Sequence, residues 1–281
     1  MKRVLVTGSS TGFGRDLCTS FLERGWKVYA TLRGGAARGR ELFAEEHRRF
    51  PDRLRVLDLD VTSAAQREAA AAAVEADGGL DCLINNAAYG QFGPFEAITE
   101  EAWRKQMEVN FFAPVLLTRR LLPMLRASQG RVVNLSSILG LASFPLSSPY
   151  ASSKFALEGW SEALYYELKP HGVQVAIVEP GGFRTKFSDN LQVAAVPPGS
   201  PYASQLAAYE RWRDKRSSGT GVPPEIVVKK IVRLVESRRM PLRTLVGTDA
   251  RLLDGLGRFL PRNVATGFLA RVYARLMPRQ S

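Results

Sequence analysis

Histidine and cysteine are scarce in this chain, with two of each among 281 residues. His47 and His171 sit far apart in polar, helix-like contexts, and no cluster has zinc-ligand spacing, so metal catalysis is not expected. Cys18 and Cys82 lie among apolar neighbours, where buried thiols are the expectation. No run of eighteen apolar residues marks a membrane-spanning helix. Met1-Lys2-Arg3-Val4 passes straight into a strand and turn, leaving no room for a signal peptide, and a cytoplasmic protein is expected. Internal repeats and low-complexity linkers are absent too. Acidic residues are outnumbered: the net charge is +12, and from Arg211 onward sixteen Arg or Lys face five Asp or Glu. The basic, partly amphipathic stretch after Phe259 suits contact with anionic lipid, an acidic carrier protein or a phosphorylated substrate, the plainer alternative being a solvated surface. Nucleic acid is a poorer explanation, because no recognised binding module accompanies the charge.

What remains is an ordinary soluble composition, 45% hydrophobic and 23% charged, in a chain long enough for a large core. Apolar, β-branched runs at Val4 to Thr7, Lys27 to Leu32, Leu54 to Leu57, Cys82 to Asn85, Arg131 to Leu135, Val173 to Val178 and Leu242 to Val246 read as strands. Helical periodicity falls near 12 to 24, 63 to 76, 99 to 127, 150 to 170 and 223 to 238. Seven strands alternating with helices imply one α/β domain over 1–281, a doubly wound parallel sheet in a three-layer α/β/α arrangement. Gly34 to Gly39 reads as a turn and Ala194 to Ser200 as a loop, both near the sheet's carboxyl edge, where open parallel sheets bind ligands. Residues 186–222 are too long for a simple connection and read as a substrate lid, and 247–281 as a basic C-terminal extension.

Two patterns point to chemistry. Gly8, Gly12 and Gly14 follow a strand and open a helix, the context in which glycines permit a tight turn, the approach of a pyrophosphate and close helix–strand packing. Tyr150 and Lys154, four residues apart on a predicted helix, share one face. An ammonium beside a phenol should bring its pKa down toward working pH, so that the phenol can exchange a proton with a carbonyl or alcohol oxygen. Ser137, thirteen residues before Tyr150, adds a hydroxyl to hold that oxygen.

In order and spacing these motifs resemble the classical short-chain dehydrogenase/reductase family, over roughly residues 3 to 190. The resemblance implies a Rossmann-type fold and a catalytic four of Asn110, Ser137, Tyr150 and Lys154, with Asn110 holding a water toward Lys154 and Lys154 also reaching the nicotinamide ribose. It implies cofactor contacts from Gly8, Ser10, Gly12, Phe13 and Gly14, from Asp60 and Val61 at the adenine, and from Asn86 and Ala87 in a segment that departs from the family's Asn-Asn-Ala-Gly at Ala88. Pro180, Gly181, Phe183 and Thr185 resemble the segment that holds the nicotinamide carboxamide. Dinucleotide folds that prefer NAD carry an acid at the end of the second strand; here Leu32 stands at that point and Arg33 follows, so NADP(H) is expected.

The expected activity is interconversion of a carbonyl and an alcohol on an apolar substrate of retinoid, steroid or aliphatic ketone type, with Leu139, Phe144, Leu146, Phe187 and Leu191 around the mouth. The segments Asn85 to Pro94 and Glu179 to Thr185 resemble the retinol and hydroxysteroid dehydrogenase branch. An acyl-carrier ketoreductase and a non-catalytic, NADP-sensing regulator are the alternatives, and a homodimer through the helices near 99 to 127 and 150 to 170 is expected.

Overall fold

Successive residues of a strand face opposite sides of a sheet, and here both sides are apolar. Val4 and Val6 enter one core and Leu5 the other; Val28 and Ala30 part from Tyr29, and Cys82 and Ile84 from Leu83, in the same way. Strands buried on both faces need helices on both. The computed structural model describes residues 1–183, 191–218 and 223–276. In chain order its strands are β1 (Arg3–Val6), β2 (Lys27–Leu32), β3 (Leu54–Asp58), β4 (Cys82–Asn85), β5 (Gly90–Phe92), β6 (Arg131–Leu135), β7 (Gln174–Pro180), β8 (Leu191–Val193) and β9 (Arg243–Val246). The helices are α1 (Gly12–Glu23), α2 (Gly35–Leu42), α3 (Ala44–Arg49), α4 (Ala64–Ala76), α5 (Glu100–Met107), α6 (Ala113–Ala127), α7 (Ser148–Leu168), α8 (Ala203–Ser218), α9 (Glu225–Glu236), α10 (Thr248–Phe259) and α11 (Arg262–Leu276).

Seven strands form one parallel sheet in the order β3-β2-β1-β4-β6-β7-β9. This is the Rossmann-type α/β arrangement read from the sequence. Side chains of α1 and α9 cover one face, and those of α4, α6 and α7 the other. The strand order reverses between β1 and β4, which opens a crevice at their carboxyl ends. Among the described residues no helix is long and apolar enough to cross a membrane. Cys18 and Cys82 are buried free thiols, and burial pushes both up to about 12.

The structure corrects several local expectations. The turn expected over Gly34 to Gly39 is confined to Gly34 and Gly35, both at positive φ, and α2 starts at once. Gly39 is a packing glycine within that helix, where an added Cβ would lie 2.3 Å from Val56 Cγ1. The single helix expected over 99 to 127 is broken by a π-helical turn at Glu108–Phe112. Pro114 has no amide to return to the Asn110 carbonyl four residues earlier, and the extra residue in the turn carries Asn110 into the protein. The expectation of a lid over 186–222 is not among those corrected: the described residues of that segment hold β8, which pairs in parallel with β5, and the helix α8. Period alone did not reveal that small second sheet, because strands of three residues are too short to show one.

Phe21, fully buried and edge-on to Trp26 at 5.2 Å between ring centroids, sits at the centre of the α1 side of the core. Phe21→Ala should cost about 3–5 kcal/mol, read as a lowered midpoint of urea unfolding with little change in slope.

Candidate active site

The loop between β1 and α1 is built on close backbone approaches. Gly8 has φ +68°, and a Cβ there would come within 2.8 Å of Ala87 Cα. A Cβ on Gly14 would meet Gly8 O at 2.3 Å and Asn86 Nδ2 at 2.5 Å. Asn86 ties this loop to the end of β4: its Nδ2 donates to Thr7 O at 2.8 Å and to Gly8 O at 3.1 Å, while Thr7 Oγ1 accepts from the Asn86 and Ala87 amides, both at 2.9 Å. The N-cap of α1, Thr11, makes no side-chain hydrogen bond to the first turn, and that turn contains no acid. Its amides and helix dipole therefore point into the crevice unopposed, a donor set that fits a dinucleotide pyrophosphate. Ser10 and Phe13 lie on the same loop and first turn, and Phe13 meets Phe183 edge-on at 6.2 Å.

The other cofactor candidates gather along the same edge. Arg33 leaves β2 exposed, and Arg38, which sequence reasoning passed over, folds back from α2 so that its Nη1 donates to Arg33 O at 3.2 Å. Asp58, the acid nearest in register, accepts from the Gly34 and Gly35 amides at 3.2 and 3.0 Å and is engaged by the turn. Asp60 follows β3. Burial alone would raise its pKa, but the Thr62 hydroxyl and amide, with Arg33 and Lys105 nearby, hold it below the usual carboxylate range. Its Oδ1 accepts both Thr62 bonds, at 2.7 and 2.9 Å, and Val61 turns into the α4 side of the core.

After β7, Gly181 N donates to Val246 O at 2.9 Å and Gly182 N to Asp249 Oδ2 at 2.7 Å. Asp249 packs so closely that a Cβ on Gly181 would lie 1.9 Å from its Oδ1. An acid at the start of α10 thus shapes the Pro180-Gly181-Gly182-Phe183 segment, a role that no local motif signals. Thr185 and Phe187 lie outside the described residues.

Tyr150 enters the site on the first turn of α7, behind Pro149, and Lys154 follows one turn later; both are buried. Ser137, just beyond β6, hydrogen-bonds the Tyr150 side chain and accepts from Leu139 N at 3.2 Å. Lys154 Nζ donates to Leu135 O at 2.8 Å and lies 5.6 Å from the centroid of the Tyr150 ring. Asn110 reaches α7 as well: its Nδ2 donates to Ser153 Oγ at 3.2 Å and to Tyr89 O at 3.0 Å, and its Oδ1 accepts from Tyr89 N at 3.1 Å. The four catalytic candidates thus come from three elements to one place. One electrostatic expectation is corrected. Burial raises the phenol to about 12 despite the Ser137 hydrogen bond, so in the polypeptide alone desolvation outweighs the nearby ammonium. Burial also lowers Lys154 to about 8, against an opposing pull from Glu158.

Behind Lys154 lies a buried charge cluster that sequence reasoning missed. Arg243 of β9 donates through Nη1 to Glu179 Oε1 at 2.9 Å and to Glu158, and through Nη2 to Glu162 at 2.8 Å. Burial pushes the Glu158 and Glu179 carboxyls up, Glu179 to about 7. Glu158 is the carboxylate one helical turn from Lys154.

In front, the Tyr150 ring stacks on Phe92 at 5.4 Å, and Phe92 stacks on Tyr209 of α8 at 5.6 Å. Leu139, Leu146, Leu191 and Val193 pack against the three rings. Of the expected mouth residues, Leu139, Leu146 and Leu191 therefore pack on the cluster that includes Tyr150, whereas Phe144 meets Tyr273 of α11 edge-on at 5.0 Å.

The short chain dehydrogenase family model matches residues 2–195. The chain belongs to the short-chain dehydrogenase family. It is accordingly an oxidoreductase of a family that binds nicotinamide cofactors. Among curated short-chain dehydrogenase relatives, a 3-ketodihydrosphingosine reductase of Bacteroides thetaiotaomicron is 34% identical over 275 residues, spanning 96% of this chain and 97% of its own. The NADPH-dependent 3-dehydrocapnine reductase of Ornithobacterium rhinotracheale is 31% identical, with 93% of each chain covered. A short-chain dehydrogenase from Streptomyces avermitilis, a solved structure, superposes with a TM-score of 0.79 at 34% identity, covering 98% of this chain and 95% of that one.

The charge cluster behind Lys154 yields a pH prediction. Glu158 holds the Lys154 pKa up, so removing its charge should move loss of the ammonium below about pH 8. Glu158→Gln should therefore shift the alkaline limb of kcat for carbonyl reduction to lower pH, while Glu162→Gln, on the more exposed arm of Arg243, should leave it nearly in place. Parallel pH–rate profiles of the two variants check this.

Proposed function

We propose that this protein reduces a ketone on a long aliphatic chain, with NADPH as the hydride donor. The observation that carries the reading is Tyr150, hydrogen-bonded to Ser137 and backed by Lys154, at one end of an apolar wall of Phe92, Tyr209, Leu139, Leu146, Leu191 and Val193. A phenol raised to about 12 keeps its proton at neutral pH, which is the form that reduction consumes.

Tyr150 donates that proton to the carbonyl oxygen, Ser137 holds and polarises the same oxygen, and the Lys154 ammonium stabilises the phenolate left behind. A bound nicotinamide supplies the hydride. Lys154 would also reach toward the nicotinamide ribose. Asn110 spends both amide protons on Tyr89 and Ser153, which fixes the turn against α7, and by the family resemblance it would hold a water toward Lys154. Gly8, Ser10, Gly12, Phe13 and Gly14 would cradle the dinucleotide, Asp60 and Val61 would take the adenine, and Asn86 and Ala87 would line the crevice. Pro180, Gly181 and Phe183, with Thr185 as the resemblance implies, would hold the carboxamide end.

Arg33 and Arg38, with Asp58 engaged by the turn, support a 2′-phosphate and hence NADP(H). The two reductases that match over 96% and 93% of this chain support an aliphatic ketone over a retinoid or steroid. Exposed Phe112, Phe155 and Tyr166 on and beside α6 and α7 favour a homodimer through those helices.

NADPH oxidation should be fastest with long-chain 3-keto substrates in a panel that also contains steroid ketones, retinal and carrier-linked β-ketoacyl thioesters; a clear win by any of the others overturns the substrate assignment. Tyr150→Phe should lower kcat about 10²–10⁴-fold. NADPH binding by that variant, followed by fluorescence titration, should be retained. Arg33→Ala should raise KM for NADPH about tenfold or more, from loss of a charge-assisted contact, and leave KM for NADH nearly unchanged.

A further inference from the structure

The helices α10 and α11 form a hairpin with two unlike faces. The inner face is committed to the enzyme: Ala250 and Ala265 are buried, Asp249 holds the Gly182 amide, and Tyr273 packs on Phe144. Phe144 lies in the loop between Leu139 and Leu146, which pack against the Phe92, Tyr150 and Tyr209 cluster, so α11 packs on the loop that borders the site. The outer face is apolar and basic. Leu252 is 68% exposed, Phe259 87%, Val264 53% and Phe268 48%, four of the eleven large apolar side chains that stand exposed among the described residues. Leu252 and Phe259 are two turns apart on one side of α10, while Val264 and Phe268 are one turn apart on α11, with exposed Arg271 and Arg275 continuing the same side. Arg251 adjoins Leu252 and is exposed too. The acids of these helices, Asp249 and Asp254, are half-buried, and Asp254 lies close enough to Glu179 to act on its charge.

We propose that this outer face docks on an anionic bilayer surface, with Leu252, Phe259, Val264 and Phe268 entering the headgroup region and Arg251, Arg271 and Arg275 meeting lipid phosphates. Apolar tips interleaved with arginines match the interfacial layer, which offers hydrocarbon and negative charge within a few ångströms. A second copy of the chain would set arginines against arginines. An acidic carrier protein would pair the arginines and leave the phenylalanines uncovered. Docking would turn the Phe144 rim toward the membrane, so that an alkyl chain passes from lipid to the Tyr150 wall without crossing water. That purpose rests on the long-chain ketone reading; the docking itself does not.

The test is flotation of the full-length protein with phosphatidylcholine vesicles, with and without phosphatidylglycerol. The protein should float with the anionic vesicles at low salt and be released by high salt. Arg271→Glu combined with Arg275→Glu should weaken binding about tenfold or more, each basic side chain near the surface being worth about fivefold. Phe259→Ser combined with Phe268→Ser should abolish flotation, with an unchanged circular dichroism spectrum and unchanged NADPH oxidation on a short, water-soluble ketone. Absence of the wild-type protein from anionic vesicles overturns the proposal. So does equal flotation of the variants, a Phe259→Ser/Phe268→Ser variant that light scattering shows to be a smaller assembly than the wild type, or binding to an acidic carrier protein without binding to vesicles. Failure of the long-chain ketone reading would appear in the substrate panel and leave flotation intact.

Discussion

A buried ammonium sets the terms for this site. Lys154 has almost no access to water, its Nζ is held by the Leu135 carbonyl, and the charge lies against the ring of Tyr150. A cation in such a place persists only if the surroundings supply compensation. The compensation comes from Glu158 one turn along α7, which is held in turn by Arg243 of β9, the partner also of Glu179 on β7. The last strand of the sheet thereby supports a residue whose business lies at the front of the molecule. The same burial that makes Lys154 expensive also raises the Tyr150 phenol.

The front of the site follows a different logic. Tyr150, Phe92 and Tyr209 form a continuous stack drawn from α7, β5 and α8, and β5 is pinned by its pairing with β8. Tyr150 therefore stands at the boundary between a polar, hydrogen-bonded rear and an aromatic, aliphatic front. The hairpin of α10 and α11 touches both halves: Asp249 shapes the loop after β7, and Tyr273 leans on the rim. The C-terminal quarter, where motif resemblance fades, is structurally part of the site.

The seven strands and the motif positions were legible because each rests on a local rule. Apolar β-branched runs mark strands, and glycines after a strand mark a phosphate loop. Tyr150 and Lys154 share a helix face by arithmetic alone. Asn110 was identified by its spacing, but the π-helical turn that carries it inward was not, since it depends on Pro114 withholding an amide from a helix that otherwise reads as continuous. Gly39 looked like a turn residue because its packing partner, Val56, comes from another element.

By itself the sequence determined the class of fold and the family, and it marked the glycine loop and Tyr150 as candidates, because those readings depend on residue type and on spacing within one segment. Only the tertiary structure decided the electrostatics and the walls. That the phenol is raised rather than lowered, that Arg243 clamps three carboxylates behind the lysine, that Asp249 moulds the loop after β7 and that Tyr209 closes the aromatic stack all depend on distance and desolvation between elements remote in the chain. Charge–charge and burial energies vary with separation in space, and spacing along the chain does not encode it.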